Sequence, residues 1–407
     1  MIRRNKHILL LITILGCFYA GLAAQSGTAS PYSMYGLGEI NDLTSGRVAG
    51  KGHVSLGMRS SQLVNQTNPA SYTAFDSLAF VFDVSIAGKA SKFSSGLTTD
   101  KARSANIYKM NFGFRINPRW ATSLGLLPFS SVGYSMASTT QVEGSNRTGE
   151  VLYTGSGGIT RLLWGNAFQI TPAWSVGFNS SFLFGSLIST EEQSTWSIEK
   201  IARTHKFYVD FGMQYVYPVN PRLHAVIGAV YGYKSRIVFS NDIEISSLYS
   251  TIFTEKKRNT TLYLPEFYGI GVSLVGRNNV VVAADYMTKK WSVMPSKDGA
   301  VFKDTHRINV GASIVPDAKM PKSYFDLIEY QVGASVGNSY LSFNGKNAMQ
   351  YAFTLGAGLP VGNSIVDVVY EYGVSGRTGY KQLQEKYHKI TIGITLREIW
   401  FYKMLYQ

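Results

Sequence analysis

Leu78-Ala79-Phe80-Val81-Phe82-Asp83-Val84-Ser85-Ile86-Ala87 is the stretch that decides the fold. In an extended strand, Leu78, Phe80, Phe82, Val84 and Ile86 share one face, and Ala79, Val81, Asp83, Ser85 and Ala87 share the other. Successive side chains of a strand point to opposite sides, so one face suits lipid and the other a polar interior. The alternation returns near 104–116, 119–137, 158–170, 173–187, 203–217, 222–239, 260–275, 279–291, 305–315, 325–337, 348–359, 364–374 and 385–397. Short connections fall at Asn117-Pro118, Thr171-Pro172, Val219–Pro221, Gly276–Asn278, Pro316–Pro321 and Pro360–Asn363. Long polar ones lie between them, near 88–103, 138–157, 188–202, 240–259, 292–304, 338–347 and 375–384. Short turns on the periplasmic side and long loops outside are the asymmetry of an outer-membrane barrel. The expected fold is all-β, a transmembrane antiparallel β-barrel of about fourteen strands, over residues 78–407.

Composition agrees with this reading. No stretch after the leader carries the ~20 apolar residues that a membrane-spanning helix needs. Backbone polar groups cannot go unpaired in hydrocarbon, so a closed barrel is the other way to span. Charged residues make up 16%, aromatics 13%, and glycines number 40, a balance suited to a lipid-facing sheet with aromatic girdles. The turns repeat a local pattern in Phe114-Arg115-Ile116-Asn117-Pro118-Arg119-Trp120 and Phe168-Gln169-Ile170-Thr171-Pro172-Ala173-Trp174. Proline presets the turn, and the flanking aromatics stand where strands leave the membrane.

The opening MIRRNKHILLLITILGCFYAGLAAQ places Arg3, Arg4 and Lys6 before an apolar run and small residues at Ala23-Ala24, which reads as a signal peptide over residues 1–24. Leu15 makes Ile14-Leu15-Gly16-Cys17 a poor lipoprotein box, so cleavage after Ala24 is expected, with export to the outer membrane. Cys17 is the only cysteine, which leaves the mature chain without disulfide, thiol nucleophile or thiolate metal site. The net charge of +14 is carried by Lys and Arg scattered among loops and inward positions, without the aromatic-interleaved stripe of a nucleic-acid binder. Anionic lipid headgroups or acidic surface sugars are the expected use of the basic balance.

Alternation also assigns faces. Tyr108, Met110, Phe112, Phe114 and Ile116 are expected outside, and Lys109, Asn111 and Arg115 inside. By the same rule Arg161, Asp210, Asp285, Arg307, Asp367 and Glu371 point inward. A lumen with both signs of charge is expected whether or not anything passes through it. Residues 25–77 differ: they are rich in Gly, Ser and Asn, lack the two-residue period, and are too apolar for a solvated tail. A plug inside the barrel fits both facts.

An N-terminal plug containing Asn68-Pro69-Ala70 upstream of about fourteen strands resembles the FadL/TodX family of outer-membrane transporters for hydrophobic compounds, in a divergent FadL-like branch. Ser30-Pro31-Tyr32-Ser33-Met34-Tyr35-Gly36-Leu37-Gly38 and Asn68-Pro69-Ala70-Ser71-Tyr72 carry the resemblance, which covers nearly the whole mature chain. It implies a hatch at Asn68, Pro69 and Ala70, and a gap in the wall where the third strand kinks inward. In that strand Pro128 removes a ladder donor and Gly125 and Gly133 remove bulk. A bulge that only adds curvature is the other reading of the same residues.

The implied mechanism is passive uptake of hydrophobic small molecules, fatty acids for example. Ligand is captured under the loops, the hatch rearranges, and exit is sideways into lipid, the favourable solvent for an apolar molecule. Lys109 and Arg115, inward and basic, are candidate contacts for a carboxylate headgroup. The expected protein is monomeric, is not an enzyme, needs no cofactor, and has outer-membrane lipid and no nucleic acid as partner. The alternative is a FadL-like barrel that serves protein secretion as a docking or shuttle subunit, or acts as a surface interaction protein.

Three other motifs carry no chemistry. Gly333-Ala334-Ser335-Val336-Gly337 matches a nucleophile-elbow string, but it continues a strand face. Gly356–Gly362 lacks the lysine and helix of a phosphate loop, and the six histidines are scattered, so no metal site is expected. Phe267, Tyr249 and Phe253 are candidate lining for an entry site under the loops.

Overall fold

Among the described residues, fourteen antiparallel strands form the wall after residue 78, each paired with the next. They are β1 (Ala79–Ser94), β2 (Thr99–Asn117), β3 (Trp120–Ser131 and Tyr134–Gln141), β4 (Thr148–Gln169), β5 (Trp174–Gln193) and β6 (Trp196–Asn220). Next come β7 (Leu223–Gly232 and Ser235–Ser247), β8 (Ser250–Leu264 and Phe267–Gly276), β9 (Val281–Lys289) and β10 (Thr305–Ile314). Last are β11 (Glu329–Phe343), β12 (Lys346–Val361), β13 (Ser364–Ser375) and β14 (Gln384–Ile399). β14 returns to β1, from Gln384↔Ser94 to Ile399↔Ala79, and closes the barrel. Closure pairs the edges that an open sheet would leave bare. The computed structural model describes residues 29–400 except 45, 97, 142–147, 194, 248–249, 277–279, 297–299, 318, 344–345 and 377–382. The expected leader with Cys17 and the cleavage position lie outside the described residues, as does Tyr249.

Every strand expected from alternation is present, and the faces follow the two-residue period. Trp164, Phe207, Ile270 and Ile390 are exposed on the outside, while Arg161, Asp210, Asp285, Asp367 and Glu371 are buried within. The strands run further at their outer ends than the sequence suggests: β4 has 22 residues and β6 has 25. Beyond the lipid both faces meet water, so the apolar/polar contrast fades from the sequence while the hydrogen-bond ladder continues.

Three features depart from the expected pattern. Tyr108 does not face lipid. Ser85 pairs with Lys109 and Ile86 with Ile107, which leaves Tyr108 as the extra residue of a β-bulge. The bulge turns it inward, where Lys389 Nζ lies 4.4 Å from its ring centroid. The connection expected as a short turn at Pro316–Pro321 extends into a 3₁₀ turn, Tyr324–Leu327, where a strand was expected from residue 325. There Asp326 accepts from the Ser323 amide at 2.8 Å, a capping box that ends the extended run. Finally, the connection between β9 and β10 folds over the lumen: Val301–Phe302 pairs with Leu341–Ser342 of β11. Its Trp291, Met294 and Phe302 join Leu37, Leu183, Ile237 and Leu264 in a buried apolar cluster beneath the outer loops.

Candidate functional site

Residues 46–75 have almost no ladder of their own, so their buried backbone groups need other partners. The inward side chains of the strands supply them. Asp285 Oδ2 of β9 accepts from the Ser55 and Leu56 amides at 2.5 and 2.8 Å. Gln214 Nε2 of β6 donates to the Leu56 and Met58 carbonyls, both at 3.1 Å. Ser273 Oγ of β8 donates to Gly57 O at 2.6 Å, and Asn179 Nδ2 of β5 donates to Gln66 O at 3.0 Å. Thr354 of β12 accepts from the Gly52 amide and donates to Gly50 O, each at 3.0 Å.

The wall makes room for this segment. A Cβ on Gly228 of β7 would stand 1.9 Å from Leu56 O, one on Gly311 of β10 2.2 Å from Lys51 O, and one on Gly333 of β11 2.1 Å from Gly52 N. These inward glycines let segment and strand backbones approach closely. Ion pairs and a histidine–carboxylate contact complete the attachment. Lys51 Nζ lies 2.8 Å from Glu329 Oε1, Arg47 Nε lies 3.1 Å from Glu329 Oε2, and His53 Nε2 lies 3.0 Å from Glu371 Oε2. Burial holds the Lys51 ammonium below the usual lysine range despite the pull of Glu329.

Asn68, Pro69 and Ala70 occupy one part of this contact. Asn68 accepts from the Ala70 amide at 3.2 Å, which caps the 3₁₀ turn Pro69–Ala74, and its Nδ2 donates to Leu56 O at 2.8 Å and Met213 O at 3.1 Å. The tripeptide rests against Gly177 of β5 and Gly212 of β6. Gly125 and Pro128 lie on β3 and Gly133 in the break between its two halves, away from the tripeptide. A Cβ at Gly125 would meet Gln66 Nε2 at 2.4 Å, whereas Gly133 is held by Ser30 and Ser33.

The ladder between β2 and β3 stops at Met110↔Leu126. Outward of that pair β2 stays bonded to β1, and β3 stays bonded to β4. The freed edge of β3 is taken up from inside. Glu39 pairs with Ser131 and Ile40 with Ser130, the Asn41 amide donates to Phe129 O at 3.0 Å, and the Ser30 amide donates to Gly133 O at 2.9 Å. Pro128 sits at the start of this unpaired stretch, where its missing N–H costs the β2–β3 ladder nothing.

Behind the seam lies a cavity of about 340 Å³. Ile40, Tyr108, Phe129, Leu183, Phe267 and Trp291 give it apolar surface, and Lys89, Lys289, Arg307 and Glu371 give it charge. Lys109 and Arg115 do not line it. Lys109 Nζ pairs with Asp83 Oδ2 at 2.7 Å, and Arg115 donates to the Thr73 carbonyl, so both are engaged elsewhere. Phe253 is exposed on the outer part of β8, away from the cavity, while Phe267 lines it. Sequence alone did not mark Glu39–Ile40 and Tyr108 as lining of the cavity, nor Asp285 as an anchor of residues 46–75. Two residues of strand carry no period, a bulge has no reliable sequence mark, and an inward Asp looks like any lumen charge.

The sequence matches the BamG family over residues 1–407, and the chain belongs to that family. No curated protein matches it in sequence. Among solved structures it is similar to a Pseudomonas aeruginosa FadL homologue, at 12% identity and a TM-score of 0.59, over 89% of this chain and 99% of that one. It is also similar to the Pseudomonas putida toluene transporter TodX, at 13% identity and a TM-score of 0.56, over 89% and 100%. A third is the Ralstonia pickettii toluene transporter TbuX, at 12% identity and a TM-score of 0.55, over 87% and 98%. At such identities the likeness is one of fold: the chain folds as a closed FadL-type β-barrel.

Proposed function

We propose that this BamG-family barrel admits hydrophobic or amphipathic compounds to the outer membrane by a lateral route. Molecules enter the cavity beneath the outer loops and leave through the β2–β3 seam. The observation that carries the reading is the lost β2–β3 ladder outward of Met110↔Leu126, with the cavity and its Tyr108 and Phe129 directly behind it. Toluene transport by TodX and TbuX supports the same class of cargo. Residues 25–77 act as the hatch. Asn68-Pro69-Ala70 anchors it to β5 and β6, and residues 30–41 cover the seam. The barrel works as a monomer, reaches the outer membrane through a cleaved leader, and carries no catalytic group.

The experiment is whole-cell uptake of a labelled long-chain fatty acid and of toluene, with Asn41→Pro as the variant. Proline removes the amide that bonds Phe129 O and loosens the cover, so uptake should rise. Unchanged uptake of both compounds in a correctly folded variant would count against the route.

A second reading is favoured by one observation. Residues 46–75 bond to inward side chains of the wall and Trp291, Met294 and Phe302 pack under the outer loops, while β4 to β8 continue outward as a broad sheet. Such a filled barrel with a raised outer sheet suits a docking subunit that holds a protein partner at the cell surface. Capture of a defined partner by the wild type, lost on trimming the outer β7–β8 hairpin without change in uptake, would favour this reading.

A further inference from the structure

Three lysines stand side by side across adjacent strands on the outer wall. Lys386 of β14 is opposite Lys92 of β1, and Lys92 is opposite Lys101 of β2. All three are exposed on the outward face, as is Arg103, which lies opposite Ala90 one outward position closer to the membrane. Among the described residues none of the four is in an ion pair.

Like charges directly opposite one another on a ladder repel, and a sheet that met only water would be more stable with an acid in the row. The row also has a definite height. On β1 the outward residues run Phe80, Phe82, Val84, Ile86, Gly88, Ala90 and then Lys92. On β14, reading towards the outer loops, they run Leu396, Ile394, Ile392, Ile390, His388 and then Lys386. The basic row begins where the apolar wall ends on the long-loop side, the level of the outer-leaflet headgroups.

We propose that Lys386, Lys92, Lys101 and Arg103 form a binding site for the phosphate groups of an outer-leaflet lipid. Ammonium and guanidinium groups form charge-assisted hydrogen bonds to phosphate, and a bound phosphate removes the repulsion within the row. The site is continuous with the lipid-facing wall and ends on β2, the strand whose other edge borders the seam. It stands independently of the transport reading.

The test uses the full barrel in detergent, with diphosphoryl lipid A and its dephosphorylated form as probes and native mass spectrometry as the readout. Heat-modified gel migration selects folded protein. The wild type should retain the phosphorylated lipid over the dephosphorylated one, and added salt should weaken this retention. In Lys92→Gln/Lys101→Gln/Lys386→Gln, affinity for the phosphorylated form should fall by about two orders of magnitude, at roughly a factor of five per basic residue near an anionic surface. Arginine at the same three positions should preserve binding, and Lys319→Gln/Lys322→Gln at the opposite rim should leave it unchanged. Equal retention by the wild type and the glutamine variant, or no preference for phosphate in the wild type, would overturn the site.

Discussion

The amide of Leu56 donates to Asp285 Oδ2 at 2.8 Å, and the same oxygen accepts from the amide of Ser55. One inward carboxylate of the wall thereby satisfies two consecutive buried amides of a segment that has no ladder. Asp285→Ala leaves both unpaired and should cost about 3 kcal/mol of stability, since each buried unsatisfied donor costs about 1–3 kcal/mol. Asp285→Asn keeps an acceptor and should cost less. Equilibrium unfolding of the detergent-solubilised barrel measures both.

The glycine contacts give a sharper contrast. A Cβ at Gly228 would meet Leu56 O at 1.9 Å, whereas nothing lies within 4 Å of one at Gly88. Gly228→Ala should therefore push the segment away from β7 and expose residues 46–75 to protease while the barrel remains heat-modifiable. Gly88→Ala should digest like the wild type.

Arg161 and Asp210 form a buried pair, with Nη2 to Oδ2 at 2.5 Å, and Asp210 also accepts from Asn179 at 2.8 Å. Arg161→Met alone leaves a buried carboxylate without its countercharge and should destabilise the barrel by about 3–5 kcal/mol. The double variant Arg161→Met/Asp210→Leu removes both charges and should recover much of that loss. Thermal unfolding of the two variants separates the cases.

Much of the wall was legible because lipid on one side and a packed interior on the other impose a strict two-residue period, as in Leu78–Ala87. Two kinds of feature were not. Where a strand rises beyond the membrane, as in β6 at Trp196–Arg203, both faces meet water and the period has no cause. Where chain geometry breaks the period, as at the Tyr108 bulge, the sequence reads one residue out of phase. The site was legible as types of residue more than as contacts. Asp285 and Arg161 were readable as inward, but their partners sit in residues 46–75 or on strands remote in sequence. The cover of the seam at Glu39–Ile40 has no pattern that separates it from a turn.

The β2–β3 seam, covered by residues 30–41, is the proposed exit route. Ile40 lies opposite Ser130, and residues directly opposite in an antiparallel pair are about 4.5–5.5 Å apart, within reach of a disulfide. With Cys17 the only native cysteine, and that one in the expected leader, Ile40→Cys/Ser130→Cys can lock the cover to β3 without competing thiols. The measurement is whole-cell uptake of a labelled fatty acid and of toluene by the oxidised variant, with cross-linking verified on a gel. Uptake should fall to the level of cells without the barrel and return on reduction; unchanged uptake by fully cross-linked protein would contradict the lateral route.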